Sequence, residues 1–177
     1  EVLSANLKLE YFSPTGSFKD RGTSVLINQA YINGIEEFAE DSSGNAGASM
    51  SAYAANIGMK AHIFTPNSTP ENKKNQIKIF GSELHLIDGP RENSTVAVKE
   101  FTKSTGINYL SHNYNPFFIE GMKSFGNEVF NEFHGDITDI IIPVGNGSLL
   151  IGAVKAYEEL IKSKKISKMP KMHCVQV

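Results

Sequence analysis

Three short turns hold the residue types that could do chemistry. In Ser13–Gly22, proline and glycine set a tight turn, Ser17 can cap a following helix, and Lys19 falls in its first turn. The positive end of the helix dipole and the neighbouring Arg21 both disfavour an ammonium there. A lysine held partly deprotonated is what imine formation with a carbonyl requires. In Asp41–Ser49, the polar turn Ser43-Gly44-Asn45 opens a helix whose first N–H groups lack intrahelical partners. Asn45 offers a donor and an acceptor suited to a ring hydroxyl or a carboxylate, and the small residues after it allow close backbone approach. In Pro143-Val144-Gly145-Asn146-Gly147-Ser148, alternate glycines leading into a helix form a backbone nest for an anion, above all a phosphate. It is neither a Walker loop nor the G-x-G-x-x-G dinucleotide fingerprint, since no Gly-Lys-Ser/Thr follows and Gly152 falls two positions too late.

Each turn taken singly also has an ordinary reading: a surface lysine among charged neighbours, a capped helix packed by Ala and Gly, a tight strand–helix turn. Together they ask for an aldehyde cofactor that carries a phosphate.

The elements that must position these turns alternate along the chain. Helical patterns cover Ser17–Asn33, Asn45–Ile57, Pro70–Phe80, Glu92–Thr105, Ile119–Phe133 and Ser148–Ile161. Strand patterns cover Ile35–Glu40, Lys60–Thr65, Glu83–Ile87, Ile107–Leu110, Asp139–Val144 (read as buried) and the stretch from Met172. Such alternation predicts an α/β fold with a mainly parallel sheet built from βαβ units. In open sheets of this class ligands sit at the carboxyl ends of the strands, so the strand-to-helix turns matter most. A boundary is expected near His112–Pro116, where polar residues and a proline interrupt the pattern.

Composition narrows the function classes. The 177 residues carry 17 Lys+Arg and 19 Asp+Glu, so 17 − 19 leaves a formal charge of −2, against a nucleic-acid or anionic-membrane partner. Hydrophobic residues at 40% and charged residues at 20% are ordinary for a globular chain with its own core. The lone cysteine, Cys174, has no disulfide partner and reads as a small buried apolar residue; no Cys/His spacing matches a zinc site, so no metal is expected. A reducing compartment, the cytoplasm, is expected. A first residue other than Met and a strand-like last segment suggest a partial chain.

These motifs, in this order, resemble the fold type II pyridoxal-phosphate enzymes, whose tryptophan synthase β-subunit-like architecture sets helices around two open, mainly parallel sheets. Pro14–Gly22 is similar to that family's cofactor-lysine motif, Ser42–Ser49 to its asparagine loop in the form seen in threonine synthases, and Pro143–Leu150 to its phosphate loop. Asn115–Gly121 is similar to the stretch that enters the large domain. The resemblance implies a partial chain: a large-domain lead-in over 1–16, the small domain over 17–115, and the start of the large domain over 116–177.

The resemblance further implies pyridoxal 5′-phosphate as cofactor, with Lys19 binding its aldehyde and removing the substrate α-proton. Asn45 would bond the 3-hydroxyl, while Gly145, Asn146, Gly147, Ser148 and Leu149 would hold the phosphate. Ser43, Gly44, Ala46 and Gly47 would face the substrate carboxylate, with Thr65, His112 and Asn113 as further pocket residues. The implied reaction is that of a lyase turning O-phospho-L-homoserine and water into L-threonine and phosphate, in a possible homodimer. The open alternatives are a threonine or serine dehydratase, a cysteine or cysteate synthase, and a paralogue that binds amino acids without turnover. Phe118 stands near a position where some threonine synthases carry a substrate-phosphate arginine, a role it cannot take, with Lys123, Arg91 or a residue outside this segment as substitutes. His62, His85, His134 and His173 read as ordinary partly buried or surface histidines, and Glu71, Lys73, Lys74 and Lys78 as the solvated face of a helix.

Overall fold

The computed structural model describes residues 5–42 and 44–176. Its elements are a 3-10 turn Glu10–Phe12, α1 Lys19–Ile32, β1 Glu37–Asp41, α2 Asn45–Asn56, β2 Lys60–Pro66, α3 Glu71–Lys78 and β3 Glu83–Ile87. There follow α4 Arg91–Thr105, β4 Asn108–Tyr109, α5 Pro116–Phe133, β5 Asp139–Pro143, α6 Ser148–Lys162 and β6 Lys171–Val175. The α/β expectation holds: four parallel strands run in the order β3-β2-β1-β4, and β5 pairs in parallel with β6.

Period-two alternation sorts the four-stranded sheet into two buried faces. Phe38, Ala61 and Ile63 join the main core with Leu26 and Ile27 of α1 and Ala48, Met50 and Ala54 of α2. Ala39 and Phe64, one position on, pack against Val98 of α4. Both sides of β1 and β2 are therefore covered, and the turns after them open at one edge of the layer.

A second layer of helices fixes where α1 begins. α1 packs on α5, and α5 on α6, at distances only glycine permits. A Cβ on Gly121 would stand 2.1 Å from the Arg21 carbonyl oxygen, and one on Gly152 would stand 2.2 Å from Met122 Cβ. These contacts bring the first residue of α1, Lys19, beside the turn that opens α6.

Several expectations need correction. Asp139–Pro143 is not a buried strand: Ile140 and Ile142 point inward, but Ile141 is 72% exposed, because β5 has a single pairing partner and one uncovered face. Cys174 is exposed on the same two-stranded sheet. α5 starts at Pro116 rather than Ile119, since proline suits the first helical position and Asn115 Oδ1 accepts from Phe117 N at 3.0 Å. Lys74 is buried rather than solvated. Among the described residues, no helix is long and apolar enough to cross a membrane.

Candidate functional site

The three turns predicted to carry chemistry converge. Lys19 is the first residue of α1, half-buried, with its Nζ 4.3 Å from the centre of the Phe18 ring. That amine donates to Asn146 Oδ1 at 3.4 Å, so the first and third turns meet at one point. Asn146 Nδ2 in turn donates to Asn113 Oδ1 at 3.1 Å. The first and second turns are joined by the buried Asp20, whose Oδ1 accepts from Thr15 Oγ1 at 2.6 Å and from Ser49 Oγ at 2.5 Å. Its Oδ2 accepts from Thr15 N at 2.8 Å, fixing the turn ahead of Lys19.

Burial pushes the Lys19 amine down to about 8, and desolvation is its cause. Arg21 does not supply the shift expected of it. Its guanidinium bonds both oxygens of Glu10 and both of Glu128, at 2.7 to 2.8 Å, so its charge is spent inside an ion network. Ser17 Oγ accepts from Lys19 N at 3.3 Å, a long bond that stands in for a cap on α1.

The α6 turn has the form of an anion nest. Gly147 adopts φ +83°, a left-handed conformation that costs glycine little, and it hands the chain into α6. Asn146 Oδ1 accepts from Ser148 N at 3.2 Å and from Ser148 Oγ at 3.0 Å; the next amides, Leu149 and Leu150, lie in the first helical turn. No atom lies within 4 Å of the place a Cβ on Gly145 would occupy, which leaves the mouth of the nest open. A phosphate-bearing carbonyl compound fits this arrangement: an amine that loses its proton near pH 8 stands beside an open nest for the anion.

The second turn differs from the first and third. Asn45 opens α2 and is exposed, with its Oδ1 accepting from Lys73 Nζ at 2.8 Å. Gly44 has open space around it. Ala46 and Gly47 are buried, so the group they offer a ligand is the backbone N–H of the first helical turn. Ser43 lies outside the described residues.

Of the further pocket candidates, Asn113 reaches Asn146 as described. His112 is buried and held on Glu40, through its Nδ1 and through its backbone N at 3.3 Å. Burial pushes the Glu40 carboxyl up, with His112 pulling the other way. Thr65 is fully buried, with its hydroxyl paired to that of Thr69 at 2.7 Å.

Neither substitute for an arginine near Phe118 is free. Lys123 pairs with Glu120 and Glu159, and Arg91 holds Asp41 by its side chain at 2.7 Å and its backbone oxygen at 2.8 Å. Burial alone would raise the Asp41 carboxyl, but hydrogen bonds from Thr95, Tyr109 and Arg91 outweigh it and hold the group below the usual range. The cation that sequence reasoning overlooked is Lys73, which stands on Asn45. Its placement in the first turn of α3, where a positive charge opposes the dipole, is the signal that marks it.

Comparison with known proteins agrees with this geometry. The family model described as pyridoxal-phosphate dependent enzyme matches residues 3–177. The threonine synthase of Methanocaldococcus jannaschii is 33% identical over 172 residues, which is 96% of this chain and 42% of that protein. The threonine synthase of a Bacillus species is 34% identical over 167 residues, 94% of this chain and 47% of the relative. The crystal structure of cysteine synthase from Entamoeba histolytica superposes with a TM-score of 0.78 at 28% identity, covering 86% of this chain and 47% of that one. The chain thus spans less than half the length of these relatives.

Proposed function

The chain belongs to the pyridoxal-phosphate-dependent enzymes, and on that premise we propose that the protein is a lyase of the threonine synthase type, converting O-phospho-L-homoserine and water to L-threonine and phosphate. The observation that carries the reading is the Lys19 amine, desolvated to about 8 and 3.4 Å from the Asn146 side chain at an open anion nest. Identities of 33 and 34% to two proteins named threonine synthase, across nearly the whole chain, support the choice of substrate.

Lys19 would bind the cofactor's aldehyde carbon and Gly145, Asn146, Gly147, Ser148 and Leu149 its phosphate. Asn45, the first residue of α2, would meet its ring hydroxyl. When bound, pyridoxal phosphate supplies an electron sink for charge that develops at the substrate α-carbon. The protein's own residues supply placement and proton handling. Lys19 Nζ, neutral in an appreciable fraction near pH 8, takes the proton from the α-carbon and returns it later. The first-turn amides of Ala46 and Gly47 offer donors to the substrate carboxylate at the positive end of α2. Lys73, already on Asn45, adds a cation at the same edge.

The test supplies O-phosphohomoserine and, separately, threonine and O-acetylserine to the full-length protein with pyridoxal phosphate. Phosphate release together with threonine is the expected result. Rapid keto acid from threonine with no phosphate from O-phosphohomoserine would overturn the reading in favour of a dehydratase, and acetate release in favour of a cysteine synthase.

A further inference from the structure

On the face of the four-stranded sheet covered by α4, at the amino ends of β2 and β3, three side chains converge outside the candidate site. In the register, His62 of β2 stands opposite Glu83 of β3, and Phe64 opposite His85, so all four side chains share one face. His62 Nδ1 is 3.1 Å from His85 Nε2. The Glu83 carboxylate approaches both rings, with one oxygen 3.5 Å from His62 Nδ1 and the other 3.5 Å from His85 Nε2.

We propose that His62, His85 and Glu83 form a binding site for a divalent transition-metal cation of the zinc class, with a fourth position open to solvent. The argument is geometric first. Ligand atoms about 2.0–2.1 Å from a tetrahedral ion stand roughly 3.3 Å from one another. The two ring nitrogens here are 3.1 Å apart, and each lies 3.5 Å from one of the two Glu83 carboxylate oxygens, separations close to that value. Two imidazoles and a carboxylate form a nitrogen-rich donor set, which selects zinc-class ions over magnesium or calcium.

The surroundings prepare the ligands. His62 Nε2 lies 2.7 Å from Glu37 Oε1, so a proton on Nε2 has the carboxylate oxygen as its acceptor. That tautomer turns the lone pair of Nδ1 toward His85 and Glu83, the carboxylate–histidine–metal arrangement that fixes ring orientation. The His85 ring is stacked on Phe64, with centroids 4.3 Å apart and planes 6° from parallel, and Phe101 of α4 lies against both histidines. Access is graded: the side chain of His62 is 4% exposed, that of His85 24% and that of Glu83 53%, which leaves the carboxylate side as the entry path. Lys60 Nζ, 3.7 Å from Glu83, is the exposed cation that an incoming ion displaces.

The site lies on the strands' amino ends, away from Lys19, so its occupancy is read by binding rather than turnover. The experiment titrates Co²⁺, as a coloured stand-in, into the full-length protein in a Cys174→Ser background and then displaces it with Zn²⁺. One equivalent per chain with visible d–d bands is expected, and Glu83→Gln or His85→Gln should each weaken binding by about 10–100-fold. Glu83 is exposed enough for its variant to fold, and labelling of Lys19 by pyridoxal phosphate reports that it has. Absence of cobalt bands in the unsubstituted site, or undiminished affinity in both folded variants, would overturn the proposal.

Discussion

Two lysines show how one residue type takes opposite roles in this molecule. Lys19 opens α1 beside the glycine turn of α6, where burial pushes its amine down to about 8. Lys60 opens β2 at the other end of the layer, exposed, and its bond to Glu37 holds it above its ordinary value. The helix layer accounts for the first environment: glycine contacts at 121 and 152 let α1, α5 and α6 approach closely, and Lys19 is left half-buried where they meet. Parallel pairing accounts for the second, since Glu37 of β1 stands opposite Lys60 and Glu83 of β3 opposite His62, which sets the four side by side. One end is built for an uncharged amine and the other for a concentration of ligating and charged groups.

The sharpest way to separate the two ends is Lys19→Ala. Phosphate release from O-phosphohomoserine should fall by about 10²–10⁴-fold, the range for losing a positioned acid–base group, while cobalt binding at His62, His85 and Glu83 stays unchanged. A loss of cobalt binding in the same variant would show that the ends are coupled. Next in size is Glu40→Leu, which leaves His112 buried without its carboxylate and should cost about 3–5 kcal/mol in urea unfolding. A cost below 1 kcal/mol, roughly one ordinary hydrogen bond, would mean that His112 finds another partner.

Gly152→Ala tests the layer that buries Lys19. Its Cβ would collide with Met122, and overpacking of this kind costs about 1–3 kcal/mol, read as a lower denaturant midpoint. The Lys19 pKa should move up in that variant, because loosening α6 readmits water. The smallest effect is the pH dependence of the amines themselves. Competitive acylation should label Lys19 with a midpoint near pH 8, and Lys60 only well above it. The sign for stability follows: the folded state binds fewer protons at Lys19 than the unfolded chain between about 8 and 10.5, so this group's contribution rises with pH across that window.

Much of this arrangement was legible in the sequence because local chemistry dictated it. Gly and Pro punctuation marked nearly every element to within a few residues, and Lys19 and Asn146 stood out by their turns before any contact was visible. Tertiary context decided the rest. The run Ile140-Ile141-Ile142 reads as fully buried, yet pairing on one side only leaves Ile141 in solvent. Arg21 looked like the lever on Lys19 from its position, but Glu10 and Glu128, 11 and 107 residues away in sequence, take its charge. His62, Glu83 and His85 were scattered in sequence and meet only through strand register, which no linear spacing reveals. Lys73 was hidden among surface-like lysines of α3.

The central claim is that Lys19 is the amine that receives the cofactor. Its most direct test is borohydride reduction of the full-length protein mixed with pyridoxal phosphate, followed by peptide mass mapping. The account predicts one dominant adduct, on Lys19, gaining intensity as pH rises through about 8. A dominant adduct on Lys73 or another lysine, or no reducible adduct at all, would contradict it.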